Sequence, residues 1–321
     1  MNPYSGNTFT GFFLTFVTRL FQGFPLGLQS DELQFFVLAT IALSSALVGV
    51  FLVWRQMSML ANALSHTILA GIVAAWLVFY VWSGFGADPE RAYEFVLPDM
   101  LLLVAAIVMA LITTFLTQAG VFLFSIAEDA STGVVFTFLF ALGIAMVSAF
   151  TKNAHIGAEL LMGNIDLVQE RDLVLSGAIL LFNALVMLLF FRQFVVTSLD
   201  PVFAHILGIP VRFSGYFLMA QVAVTAVAAF RAVGVILFLA FLVAPALAAG
   251  MWFRQHKKIV GISCFVGVFA SIVGVALSRH LLTVYGVGCS TGALVVALLF
   301  FLVVVSMLVS RIRHFPLVRR S

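Results

Sequence analysis

AVGVILFLAFLVAPALAAGMW, residues 232–252, runs for 21 positions without a charged side chain, which is the length an α-helix needs to cross the hydrocarbon core of a bilayer. Upstream the apolar character continues to Phe213, and Arg231 is the only charge in the whole stretch to Trp252. Two spans therefore meet near Arg231, and one of the two is a candidate re-entrant segment. Cutting the rest of the chain at its polar interruptions gives nine spans, at 35–54, 61–83, 97–117, 132–150, 173–195, 213–230, 232–252, 259–278 and 289–310. Composition agrees: of 321 residues 63% are hydrophobic and 9% charged, with mean hydropathy +1.19. A soluble domain of this size needs a charged surface that this chain does not have. The expected fold class is all-α, a polytopic membrane bundle of about nine transmembrane helices.

The remaining segments are short. Residues 1–34 form an N-terminal extension in which 8–24 is apolar but carries Arg19, Gly23 and Pro25, the mark of an amphipathic helix lying in the interface. The first residues, MNPYSGNTFTGFF, lack the basic region and cleavage site of a signal peptide and are expected to stay in the chain. Residues 35–310 make the membrane domain and 311–321 a basic tail. Cys264 and Cys289 both fall in apolar stretches and make neither a disulfide framework nor a metal-ligand spacing.

Basic residues set the orientation. With the tail in the cytoplasm, alternation puts Arg55, the 192–212 segment and RQHKK at 254–258 on the same side, so ten of the sixteen Lys and Arg lie inside and six outside. Ten of the thirteen acids lie outside, which leaves that face at −4. A negative mouth concentrates cations, although acidic loops are also ordinary solvated loops. The location expected is the bacterial cytoplasmic (inner) membrane, with lipid and not nucleic acid as the surroundings.

Absent motifs exclude chemistry. None of the three lysines ends a G-x-x-x-x-G-K-[ST] cradle, so the chain is not a P-loop ATPase by itself. H-E-x-x-H and G-x-S-x-G are missing too, which counts against an enzyme. Two stretches do stand out. SLDPVFAHILGIPVRF, 198–213, has Asp200 as helix cap, Pro201 in the first turn and Gly208 and Pro210 as stop. It predicts a two-turn helix outside the membrane that shows Val202, Phe203, Ile206 and Leu207, either to a partner or to the lipid surface. MSMLANALSHTILAGI, 57–72, puts Asn62 and His66 on one helix face inside an apolar span. A lone intramembrane histidine is either a hydrogen-bond partner between helices or a metal ligand.

FLVWRQMSMLANALSHTILAGI, EDASTGVVFTFLFALGIAMVS, LLMGNIDLV, SLDPVFAHILGIPV, AVGVILFLAFLVAPALAA and STGALVVALLFFLVVV follow one another in the order of the family-3 ABC permeases, which the chain resembles from residue 35 onward. That family supplies the membrane subunits of bacterial importers for manganese, zinc and iron. The resemblance implies a permease that is not an enzyme and has no permanently bound cofactor. It carries a divalent metal ion as substrate and draws on ATP through a separate cytoplasmic ABC ATPase. It further implies a second permease subunit, identical or a paralogue, and an extracytoplasmic metal-binding protein.

By the same resemblance, Asp200, Pro201, Phe203, Ala204, Leu207 and Gly208 make the coupling helix that seats in the ATPase, near 200–208. The loop at 155–172, with Glu159, Asp166, Glu170 and Asp172, lies where the binding protein docks. Gly234 and Pro245 mark a broken helix beside the translocation path, and the proline frees the carbonyl of Phe241. Where the family usually reads Asp-Ala-Leu-Ser-His, with acid and histidine facing the metal, this chain reads Asn62-Ala63-Leu64-Ser65-His66. His66 keeps the ligand, and Asn62 leaves at most a weak carbonyl donor. Cys289-Ser290-Thr291-Gly292 lacks the family's proline, so a looser start to the last span is expected. Small residues Gly267, Ser271 and Gly274 allow close helix contact in the eighth span. The alternatives are an ABC permease for a corrinoid or an iron chelate, and an ATP-independent secondary metal transporter. The latter usually has acids at the midplane, which this chain lacks.

Overall fold

A computed structural model of the chain describes residues 3–4, 9–22, 28–57, 63, 67, 70–71, 73–78, 99–150 and 165–314. The elements are α1 (Phe9–Phe21), α2 (Ser30–Trp54), α3 (Asp99–Phe124), α4 (Glu128–Phe150), a short 3-10 turn at Ile165–Leu167, α5 (Glu170–Leu199), α6 (Pro201–Ile206), α7 (Val211–Val233), α8 (Val235–Trp252), α9 (His256–Tyr285) and α10 (Thr291–His314). Described residues between 63 and 78 are helical as well. Among the described residues, seven helices are long and apolar enough to cross a membrane, and 130–146 of α4 makes a shorter apolar helix. All-α architecture is therefore as expected.

α2 is the pillar of the bundle. It packs against α5, α7, α8 and α9, and its apolar side chains Val37, Leu38, Val48, Phe51 and Leu52 are buried on several faces at once. A helix buried all round cannot be amphipathic, which is why its sequence shows no clean stripe. α10 is the opposite case, packed on α8 and α9 but exposing Phe300, Phe301 and Ile312 to the surroundings. In water such a surface would be an aggregation liability; in lipid it is the ordinary outer face.

Close approaches are made at small residues. A Cβ at Gly49 would lie 1.9 Å from the Leu242 carbonyl oxygen, so α2 and α8 touch backbone to backbone there. On α9, a Cβ would come within 3.1 Å of Ala42 at Gly267 and within 2.3 Å of Val295 at Gly274, while Ser271 is buried. That helix thus uses its small residues as expected, towards α2 and α10.

Two boundaries differ from the reading of the sequence. The pair at 213–230 and 232–252 consists of two continuous helices of 23 and 18 residues, and neither turns back. Their junction is Gly234, with φ +80° and ψ 170°, and not Arg231, which continues α7. A charge at a helix end does not interrupt the backbone; a left-handed residue does. The start of α10 is also tied down without the missing proline. Thr291 Oγ1 donates to Asp166 Oδ1 at 2.8 Å and to Ser278 Oγ at 3.1 Å, and Ser278 Oγ donates to the Cys289 carbonyl at 3.1 Å.

Candidate functional site

α6 is a self-contained unit at the end of the bundle where α2 finishes. Asp200 Oδ1 accepts the Phe203 amide at 2.9 Å, and Pro201 occupies the first turn, where its lack of an N–H costs nothing. At the other end the Gly208 amide donates to His205 O at 3.0 Å and the Ile209 amide to Ala204 O at 3.0 Å, with Gly208 at φ +75°. This pair of bonds is a Schellman closure, which needs a left-handed residue. Six residues would not hold a helix alone; the caps at both ends and the burial of Ala204 against the bundle do so. Val202, Phe203, Ile206 and Leu207 are exposed by 72%, 49%, 76% and 54%. The two strands of chain that carry α6 are joined beneath it by Thr197 and Ser214, whose hydroxyls lie 3.1 Å apart.

From α6 a line of polar groups runs through the bundle between α2, α5 and α7. Arg55 Nε donates to Ser198 Oγ at 3.3 Å, then comes the Thr197 and Ser214 pair. Gln221 and Thr225 follow on α7, with Asn183 Nδ2 donating to Thr225 Oγ1 at 2.7 Å. Thr40 and Ser176 close the line with hydroxyls 2.8 Å apart. Asn183 Oδ1, both amide atoms of Gln221 and the hydroxyls of Ser44 and Ser45 are buried without a partner in the protein. Ser44 lies one helical turn from Thr40 and two from Phe51, both of which meet α5, so it belongs to the same seam. Buried polar atoms of this kind are usually satisfied by ordered water. An amide midway along an apolar run was the signal for Asn183 and Gln221, and the sequence reading did not single them out.

Gly234 stands just before α8 and Pro245 inside it, and the helix continues through the proline. The Gly234 amide donates to Ala229 O at 3.2 Å and Phe230 O at 3.1 Å, closing α7 before α8 begins. Pro245 is buried inside α8, and Ser263 Oγ of α9 reaches its carbonyl at 3.2 Å. The turn before Pro245, which lacks one backbone bond, is the turn that Gly49 of α2 presses against.

At the opposite end, Asp31 and Glu32 open α2 and are both buried. Glu32 takes the Arg19 guanidinium of α1 and the Tyr4 hydroxyl, the latter at 2.7 Å, and caps Gln29 N at 2.8 Å. Asp31 pairs with Arg279 of α9. Burial and the bond to Glu32 push the Tyr4 hydroxyl well above its usual range. α1 turns Phe12, Phe16 and Arg19 inward and Leu14, Leu20 and Phe21 outward, so the N-terminal extension is fastened to the bundle. Of the loop acids expected to meet a partner, Asp166 accepts from Thr291 and Asp172 caps Gln169 N at 2.9 Å, so both are engaged within the chain. Glu159 lies outside the described residues.

Asn62 and His66 also lie outside the described residues. Their neighbours Ala63 and Thr67 are buried, and Thr113 Oγ1 of α3 donates to Thr67 Oγ1 at 3.0 Å. Among the described residues no group of three or more His, Cys, Asp or Glu side chains comes together to hold a metal.

Comparison with known proteins places this arrangement. The model of the ABC 3 transport family matches residues 31–310. A Chlamydia muridarum protein named "Probable metal transport system membrane protein" is 37% identical over 305 residues, covering 93% of this chain and 92% of its own length. The manganese transport system membrane protein MntD of Bacillus subtilis is 33% identical over 247 residues, covering 73% of this chain and 78% of its own. Among solved structures, PsaBC from Streptococcus pneumoniae in complex with Fab matches with a TM-score of 0.70 at 24% identity, over 92% of this chain and 95% of that one. The last of these shows a shared fold.

Proposed function

Because this chain belongs to the ABC 3 transport family, a family of multi-pass membrane permeases, we propose that it is the permease subunit of an ATP-driven importer of a divalent metal ion, manganese first. One relative that shares a third of its residues over 73% of this chain, and others at 27–29% identity, are manganese transport proteins by name, which favours that metal over zinc or iron. A capped, two-turn helix exposing four apolar side chains at one end of the bundle is the observation that carries the reading. Among the described residues nothing covers that face, and Asp200, Pro201, Ala204 and Gly208 are spent on shaping it. Phe203 and Leu207 are the contacts a separate ATPase would bury.

In this reading α6 and the basic tail are cytoplasmic, and Asp31, Glu32 and the start of α10 face outward, where a binding protein delivers the metal. His66 is the ligand on the path, with Asn62 a weak oxygen donor one turn away. Gly234 and Pro245 let α8 bend beside that path. A second permease, identical or a paralogue that carries the acid missing here, completes the translocation unit. Residues 1–34 act as an extension fastened to a permease domain at 35–310.

Uptake of radiolabelled manganese into vesicles holding this chain, its ATPase and its binding protein is the test. Uptake that requires ATP and is competed by manganese more strongly than by zinc or iron supports the proposal. Uptake driven by an ion gradient with the ATPase omitted would refute it in favour of a secondary transporter.

A further inference from the structure

α1 lies across the bundle and not along it. Near its start Phe9 meets His280 of α9, with ring centroids 6.3 Å apart, and seven residues later Phe16 meets Phe35 of α2 at 5.1 Å. Seven residues of helix cover about 10.5 Å, close to the spacing of packed neighbours such as α2 and α9, so α1 bridges the two side to side. Its inner face is Phe12, Phe16 and Arg19, with the arginine closed on Glu32. The opposite stripe, Thr10, Leu14, Val17 and Phe21, is exposed, the last three by 71%, 46% and 87%. Hydroxyls flanking that stripe are turned to the helix's own backbone, Thr15 to Gly11 O at 2.9 Å and Thr18 to Leu14 O at 2.7 Å. The sequence suggests an amphipathic helix with a polar side; the structure turns its one charge inward and leaves α1 apolar on both sides.

The depth of α1 follows from the two helices it crosses. α2 has 25 residues and is about 37 Å long, so centred on a hydrocarbon core of about 30 Å it projects about 4 Å at each end. Phe35 stands about 7.5 Å from its start and is therefore just inside the core. α9, with 30 residues and about 45 Å, projects about 7.5 Å, which puts His280 at the core boundary. α1 thus runs in the plane of the membrane at the level where acyl chains begin. Three occupants can be weighed for its outer stripe. A soluble protein approaching from water would sit above that level and would need a polar rim, which the stripe lacks. A second copy would need about 800 Å² on each partner, and three apolar side chains on one 13-residue helix supply a fraction of that. Acyl chains ask for neither charge nor hydrogen bonds, and they surround spanning helices at this depth.

We propose that the outer stripe of α1, with Leu14, Val17 and Phe21, is a lipid-binding surface, seated among the acyl chains of the leaflet at the Asp31 end as an in-plane anchor. Because Arg19 on the inner face grips Glu32 at the start of α2, the anchor fixes the depth of the helix on which α5, α7, α8 and α9 pack. The anchor requires only that the chain span a bilayer, whatever the metal carried or the direction of transport.

The test is carbene labelling of the unaltered full chain, reconstituted in phosphatidylcholine vesicles that include a phosphatidylcholine with a diazirine on its acyl chain. After illumination, mass spectrometry should find label on Leu14, Val17 and Phe21 at a yield comparable to that on Phe300 and Phe301 of α10, and several-fold less on Phe12 and Phe16. A water-soluble diazirine should leave 9–21 nearly unlabelled. In Leu14→Cys and Val17→Cys chains that also carry Cys264→Ala and Cys289→Ser, an attached nitroxide should collide several-fold more often with oxygen than with a water-soluble nickel complex. If those chains do not fold, the labelling of the unaltered chain decides alone. An unlabelled α1 beside a labelled α10, or preferential labelling by the water-soluble reagent, overturns the proposal. Loss of the lipid-borne label when a purified extracytoplasmic binding protein is added, or when the protein-to-lipid ratio is raised, would assign the stripe to a protein partner or a second copy, and the lipid anchor would fall.

Discussion

Replacing Phe203 by alanine separates docking from folding. The ring is 49% exposed on a helix whose opposite face, at Ala204, is fully buried, so truncation removes contact area for a partner and leaves the bundle's own packing intact. A phenylalanine side chain offers about 200 Å² in all, so roughly 100 Å² is free to be covered, and at about 25 cal/mol per Å² its loss weakens association by ~2 kcal/mol once the alanine methyl is allowed for. That is a change of about 30-fold in the dissociation constant. Leu207→Ala, at 54% exposure, should act in the same sense and somewhat less.

The measurement is binding of the purified ATPase to the permease in nanodiscs, with the thermal stability of the permease recorded beside it. Docking should weaken by the stated factor while stability stays level. Phe203→Asp with Leu207→Asp adds the cost of desolvating two carboxylates and should abolish both association and uptake with the protein still inserted. Asp200→Ala approaches the same surface from within. It leaves all four apolar side chains in place but removes the cap on Phe203 N, worth about 1 kcal/mol, so a helix of only six residues frays and docking weakens, whereas Asp200→Asn keeps the cap and the affinity. Undiminished ATPase association in the Phe203 variant, with the double aspartate also binding, would mean that α6 rests on lipid and couples nothing.

Glu32→Gln should cost about 2 kcal/mol of α1 attachment by removing the charge that holds Arg19, seen as faster amide exchange over 9–21 with α2 unchanged; uniform loss across the bundle would contradict a local clasp. Gly49→Ala forces a methyl into the Leu242 carbonyl and should destabilise by about 3 kcal/mol in a denaturation titration, and a neutral result would show that α2 and α8 lie further apart. Asn183→Ala removes the bond that Thr225 Oγ1 accepts, leaving its own bond to the Gln221 carbonyl, and should cost ~1 kcal/mol, while Asn183→Ala with Thr225→Ala together should cost less than the sum of the two, a coupling that independent sites would not show. His66→Ala should lower metal uptake far more than folded protein, and Asn62→Asp should tighten retention of manganese; the reverse order of effects for His66 would make it a packing residue.

What the sequence exposed was whatever obeys local rules. Asp200, Pro201, Gly208 and Pro210 fix α6 within eleven residues, so caps, turn and exposed face were all readable. The division of 213–252 was misplaced by three residues because Arg231 was weighted as a charge when the backbone dihedral at Gly234 decides the break. Asp166 and Asp172 read as rim acids because a partner 125 positions away in the chain, Thr291, leaves no mark near Asp166. The seam of Asn183 and Gln221 was hidden for the same reason: a buried amide gains meaning only from the helix faces around it. The first 34 residues lie mostly outside the family match, which begins at residue 31. Its anchor, Glu32, stands at the matched region's edge.

The two ends of the bundle are built with different bonds, and the difference suits a machine driven from one side. At the Asp31 end, two buried carboxylates each take an arginine from another helix, contacts that cost several kcal/mol to break because they leave a charge alone. At the Arg55 end the described contacts include the hydroxyl bonds of Thr197 with Ser214 and of Arg55 with Ser198 and the packing of Phe51 on Phe191 and Phe194, around an open cavity. Between them the seam offers polar atoms without fixed protein partners, which water can follow through a small displacement at little cost. In the proposed importer, force on α6 enters through the ends of α5 and α7. Those helices can shift against α2 at that end, while at the other end the ion pairs keep α1 and α9, not α5 or α7, fastened to α2.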